Sequence, residues 1–193
     1  MNRRRAASLA GGVFVLLPAV WFGWKWLTFP SDRTPEGAYL RLVTGVNQGK
    51  PELLFAYLED EAQHACYTIR DYRRHAVSFV QRSYPAPERE RLIAAYAPYA
   101  DAPDGADVFA LYARERGWLE RLRRDMSGVG RVEIDGERAT VETVRKTRYP
   151  FRRRPNGIWG LTLFTATLLG EAEKAARDAK LIERTAQDYD RAK

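Results

Sequence analysis

Residues 143–157 read TVRKTRYPFRRRPNG, with cations at Arg145, Lys146, Arg148, Arg152, Arg153 and Arg154 and no acid between them. The chemistry on offer is recognition of anions. A guanidinium is a rigid fork of donors that meets a carboxylate or a phosphate with two hydrogen bonds. Near a bilayer each basic side chain attracts anionic headgroups by about 1 kcal/mol. The run therefore nominates an acidic protein partner or anionic lipid headgroups. The plainer alternative is that the charges keep a sheet edge from pairing with other chains. Tyr149 and Phe151 lie among the cations. That mixture also suits single-stranded nucleic acid, but the compartment inferred below argues against a nucleic-acid partner.

The other reactive residue types offer little. His64 follows Glu59, Asp60 and Glu61. On a helix a carboxylate would lie one turn before it, as in a metal or acid/base site; a solvated acidic turn is the plainer and preferred reading. His75 reads as a helix surface residue. Two histidines and one cysteine leave no set of soft metal ligands, and Cys66 excludes an intramolecular disulfide. It reads as a small buried apolar residue. There is no phosphate loop, zinc-protease helix or nucleophile elbow, and Gly128-Val129-Gly130 is too short for a dinucleotide site. The sequence nominates no catalytic residue, no cofactor and no metal site.

The elements that must position these residues start with an apolar stretch, residues 6–29, directly after Arg3, Arg4 and Arg5. A spanning helix needs on the order of 20 mostly apolar residues. Lys25 is the single charge. Trp21, Trp24, Lys25 and Trp26 are expected at the far membrane interface, where indole rings favour the headgroup level and lysine snorkels. The three arginines hold the start on the cytoplasmic side. The expected organisation is a signal-anchor over residues 1–30 and a single domain over residues 31–193 on the periplasmic or extracytoplasmic side. A cleaved signal peptide is the alternative, but no small-x-small site follows the apolar run. The chain carries net charge +7 over 193 residues. Four of its 32 basic residues are Arg3, Arg4, Arg5 and Lys25, which leaves 28 against 25 acidic residues, a net +3, in the exported part. Removing the six cations of the basic run leaves that part at −3.

Along the exported part, Thr34-Pro35-Glu36 is a helix start and Asn47-Gln48-Gly49 its stop. Tyr39, Leu42, Val43 and Val46 fall on one face. A short second helix follows Pro51. Residues 65–84 and 88–97 predict a third and a fourth, and Asp104 or Asp107 caps a fifth that runs to Met126. The period then becomes two: Val132 and Ile134 precede an Asp135-Gly136 turn with positive φ at both central positions. The return strand carries Ala139, Val141 and Thr143 and runs on towards Phe151. Asn156-Gly157 makes a second turn, and residues 158–165 are the last strand. Trp159, Leu161 and Leu163 on one face and Ile158 and Phe164 on the other predict cover on both sides. The final helix spans about residues 167–191. Leu168, Ala172, Ala175, Ala179, Ile182, Ala186 and Tyr189 form a heptad seam along it. That seam is expected to pack on the chain's own sheet, with a second copy in a homodimer, or another partner, as the sharper alternative. The fold class is α+β: a helical N-terminal half, an antiparallel meander of three to four strands, and a long C-terminal helix packed on the sheet.

The arrangement resembles the nuclear transport factor two-like superfamily, the cystatin-like α+β cone. The likeness rests on residues 34–61 (helix, glycine turn, helix), on VEIDGERATV at 132–141, and on NGIWGL at 156–161, where a turn glycine precedes a core tryptophan. The resemblance implies a pocketed or dimerising domain. It does not imply catalysis, because no Asp/His pair of the kind that cone-fold enzymes use maps onto this chain. The leading expectation is a membrane-anchored envelope protein whose exported domain is a non-catalytic binding or assembly module. A second is a carrier that holds a lipid-like ligand against Trp159, Leu161 and Leu163. A third is a cone-fold enzyme, which would need an acid/base pair inside the cavity.

Overall fold

Thr34 begins the first helix as its spacing predicts: its hydroxyl accepts from Gly37 N at 3.1 Å, with Pro35 in the first turn. The computed structural model describes residues 30–192, and Asp32–Lys193 forms one compact unit. The candidate anchor, with Trp21, Trp24, Lys25 and Trp26, lies outside the described residues. Among the described residues no helix is long and apolar enough to cross a membrane.

Among the described residues six helices precede the sheet: α1 (Pro35–Asn47), α2 (Glu52–Phe55), α3 (Asp60–Ser83), α4 (Ala86–Ala100), α5 (Gly105–Glu115) and α6 (Trp118–Asp125). The expected fifth helix is thus two. Gly117 is left-handed, with φ of 61°, and ends α5. Its cap is the expected one, since Asp104 Oδ1 accepts from Ala106 N and Asp107 N. α3 starts earlier than the apolar spacing suggests, at Asp60, and α4 keeps Pro98 within it.

The sheet is an antiparallel meander in the order β1 (Val129–Asp135), β2 (Arg138–Thr143), β3 (Arg148–Arg153), β4 (Trp159–Leu161). Asp135 pairs with Arg138, so the first turn is Gly136-Glu137, and Gly136 alone has positive φ. The expected return strand is two strands, because the chain reverses after Thr143: Lys146 N donates to Thr143 O and Thr143 N to Thr147 O. β4 stops at Leu161. Leu163 lies beyond it at 44 % exposure, while Phe164 is buried.

Ala139, Val141, Tyr149 and Phe151 point into the core, where the Tyr149 ring meets Tyr39 of α1 at 5.3 Å. Arg138, Arg148, Pro150 and Arg152 stand exposed on the opposite face. β4 is not an open edge. Leu161 N donates to Tyr57 O at 2.7 Å, Glu59 N to Leu161 O at 3.2 Å, and Leu58 bridges Leu161 in parallel. β3 is an inner strand. Its arginines therefore do not guard an edge, and the expected edge-protection role falls.

α7 (Thr165–Arg191) closes the chain. Its seam packs on α3 rather than on the sheet. Leu168, Ala172, Ala175, Ala179, Ile182 and Ala186 are buried, and Tyr189 is half-buried. Ala76, Val80 and Tyr84 of the α3 side join Ala179, Ile182 and Ala186 in one apolar cluster. Arg73 meets Asp178 at 2.7 Å, and Ser83 Oγ donates to Asp190 at 2.8 Å, so the partners advance together and the two helices run parallel. The heptad spacing is satisfied within the chain because α3 presents small residues to the alanines.

Candidate binding surface

The turn between β2 and β3 holds the first half of the basic run. Arg145 N donates to Ser127 Oγ at 3.3 Å, and its guanidinium donates to Arg124 O at 2.7 Å, a carbonyl in the last turn of α6. Lys146 Nζ donates to Glu142 at 3.0 Å, and Arg148 to Glu133 at 3.1 Å. The Lys146 hydrogen bond and charge hold the Glu142 carboxyl below the usual carboxylate range, with Arg148 and Arg131 adding to the effect. The local field at this turn is therefore positive.

The second half of the run meets different partners. Arg152 reaches Glu61 at 3.2 Å, and Arg153 reaches Glu137 at 3.8 Å. Arg154 is bonded to Asp60 and donates to Ala56 O at 2.9 Å and Gln63 Oε1 at 3.4 Å. These residues border a cleft of about 290 Å³, lined by Glu59, Asp60, Glu61 and Glu137 facing Arg152, Arg153, Arg154 and Pro155. The acidic turn that sequence spacing placed before His64 is thus the counter-charge of Arg152 and Arg154. Asp60 and Glu61 face arginines. Among the described residues no group of three metal-ligating side chains is gathered.

The three residues nominated for an apolar pocket do not share one. Trp159 and Leu161 are buried and Leu163 is exposed. Trp159 Nε1 donates to Arg33 O at 3.1 Å, and its backbone N to Asp32 O at 3.2 Å. Cys66 is buried, and burial pushes its thiol up to about 12, which keeps it unreactive.

Two features escaped the sequence reading. Arg123 donates to Val46 O at 3.2 Å, at the end of α1, and the carbonyl of its neighbour Arg124 accepts from Arg145. The segment LERLRRD carries the signal in its charges, but nothing local says that it meets residue 145. Lys146 has φ of 65°, where a glycine is the ordinary choice. No family model, no curated protein and no solved structure matches this chain.

Proposed function

We propose that the chain is a membrane-anchored protein of the cell envelope whose exported domain binds or assembles with another molecule and does not catalyse a reaction. The basic start, the apolar residues 6–29 and the aromatic exit support the anchor. The observation that carries the binding reading is the outer face of the sheet. Arg138, Arg148, Pro150 and Arg152 stand exposed on it, and no helix among the described residues buries it. A sheet that leaves a charged face to solvent, on a domain with a filled apolar side, is suited to contact rather than to enclosure. The likeness to the cone fold supports the same reading, since that fold serves pockets and dimers alike. A carrier would need an apolar cavity. The cleft beside residues 152–154 is bordered largely by charged groups, and Trp159 and Leu161 are already packed.

Native mass spectrometry of the full chain, extracted from its own membrane in neutral detergent, tests the reading. The expected result is a second polypeptide held at fixed stoichiometry. A small apolar molecule released only on denaturation would replace the reading with the carrier. The bare chain alone would remove it.

A further inference from the structure

The sequence presents one basic run, but the sheet divides it between two ends. β3 covers about 17 Å from Arg148 to Arg153 at about 3.3 Å per residue. Trp159 pairs with Arg153 on one side, and its backbone N donates to Asp32 O on the other. Residues 152–154 therefore stand where the chain enters the compact unit. There three arginines face four carboxylates across the cleft, so the charge is cancelled within the chain.

The far end differs. Arg124, Arg131, Arg145, Lys146 and Arg148 gather there, Arg123 precedes Arg124 in the last turn of α6, and the carboxylates in contact with these six are Asp125, Glu133 and Glu142, a net of +3. Arg123 and Arg145 bond to backbone carbonyls at the ends of α1 and α6. Those bonds fix the guanidinium positions without cancelling a full charge. Val144, 67 % exposed, sets an apolar contact beside the cations.

Backbone conformation singles out the same turn. The other left-handed positions among the described residues are glycines: Gly49, Gly117, Gly136 and Gly157. Only this turn keeps a side chain, Lys146, in that conformation. Such strain persists where the side chain has a use.

We propose, resting on the binding-module reading, that the turn between β2 and β3 together with the last turn of α6 is the docking surface, and that its partner is an acidic polypeptide segment. An acidic strand or tail matches a fixed array of guanidiniums with an apolar contact among them.

The test is the binding of a fluorescent poly-glutamate peptide to the full chain in neutral detergent, at low and at physiological salt. The native chain should bind, and more weakly as salt rises. Arg123→Ser with Arg145→Ser and Lys146→Ser should weaken binding about tenfold or more, and Arg152→Ser with Arg153→Ser less than about twofold. Lys146→Gly relieves the left-handed side chain, so it should raise the Tm while it weakens binding; this keeps the test independent of unfolding. No peptide binding by the native chain, or equal losses at both ends, overturns the proposal. Displacement of the peptide by phosphatidylglycerol vesicles at equal anion concentration also overturns it, in favour of lipid. If the native complex of the preceding section forms and the far-end variants leave it intact, this assignment falls while the binding reading stands.

Discussion

Gly160 shows how one position can decide whether a strand closes. A Cβ there would lie 2.6 Å from Glu59 Cα, 2.7 Å from Glu59 N and 2.9 Å from Leu58 C. These are backbone atoms tied to β4 by hydrogen bonds on both sides of Leu161, so they cannot yield as a flexible side chain would. Gly160→Ala is expected to destabilise the domain by about 2 kcal/mol, read as a lowered denaturant midpoint with an unchanged slope. An unchanged midpoint would mean that the segment at residues 57–59 is not held against β4. Sequence reading placed Gly160 between two core residues but could not see this approach, since residues 58 and 160 are far apart in the chain. Local residue roles were more legible. The Thr34 and Asp104 caps are found as expected, because a cap is an interaction within four residues.

At the scale of elements, the helices of the N-terminal half and the meander follow from periodicity and turn chemistry. The departures lie where chemistry overrides period, as at Gly117, or where a turn lacks its usual residues, as at residues 144–147. Lys146 carries the left-handed position there, which hid a strand end inside a basic run. The seam of α7 was legible as a seam, but its partner was not. α3 lies against it, with Arg73 only 5 % exposed and its guanidinium 4.2 Å from the Tyr96 ring centre. Ala179 is buried at the middle of that contact. Ala179→Leu should cost about 1–3 kcal/mol, because two helices packed over alanines have no room for a branched side chain. Leu181→Ala, on the exposed side of the same helix, should change stability by less than about 0.5 kcal/mol. Thermal unfolding of the two variants checks the pair. Similar shifts in both would mean that α7 does not pack through this seam.

At the scale of the whole molecule, the tyrosines set an alkaline limit. Burial is the first cause that raises the hydroxyls of Tyr39, Tyr84, Tyr99, Tyr112 and Tyr149 above their ordinary value. Each is favoured neutral in the folded state, so its contribution is complete below about pH 10, the unfolded value, and is lost as pH rises towards the folded values. These five should form tyrosinate only in step with the loss of helical circular dichroism. Their ionisation near pH 10 with helices intact would contradict the burial described here. What the sequence by itself determined was local. It specified the α+β class, the Thr34 and Asp104 caps, the Asn156-Gly157 turn, the inward face of the first helix, and a basic run with an unusual local charge. Those depend on spacing and on chemistry between near neighbours. Only the tertiary structure decided what the charges and seams meet. It paired Arg152 and Arg154 with the acidic first turn of α3 and Arg153 with Glu137, joined Arg145 to the end of α6, and turned the heptad seam inward onto α3. Coulomb energy and packing depend on distance in space, and the chain brings residues roughly a hundred positions apart, such as Arg73 and Asp178, into contact.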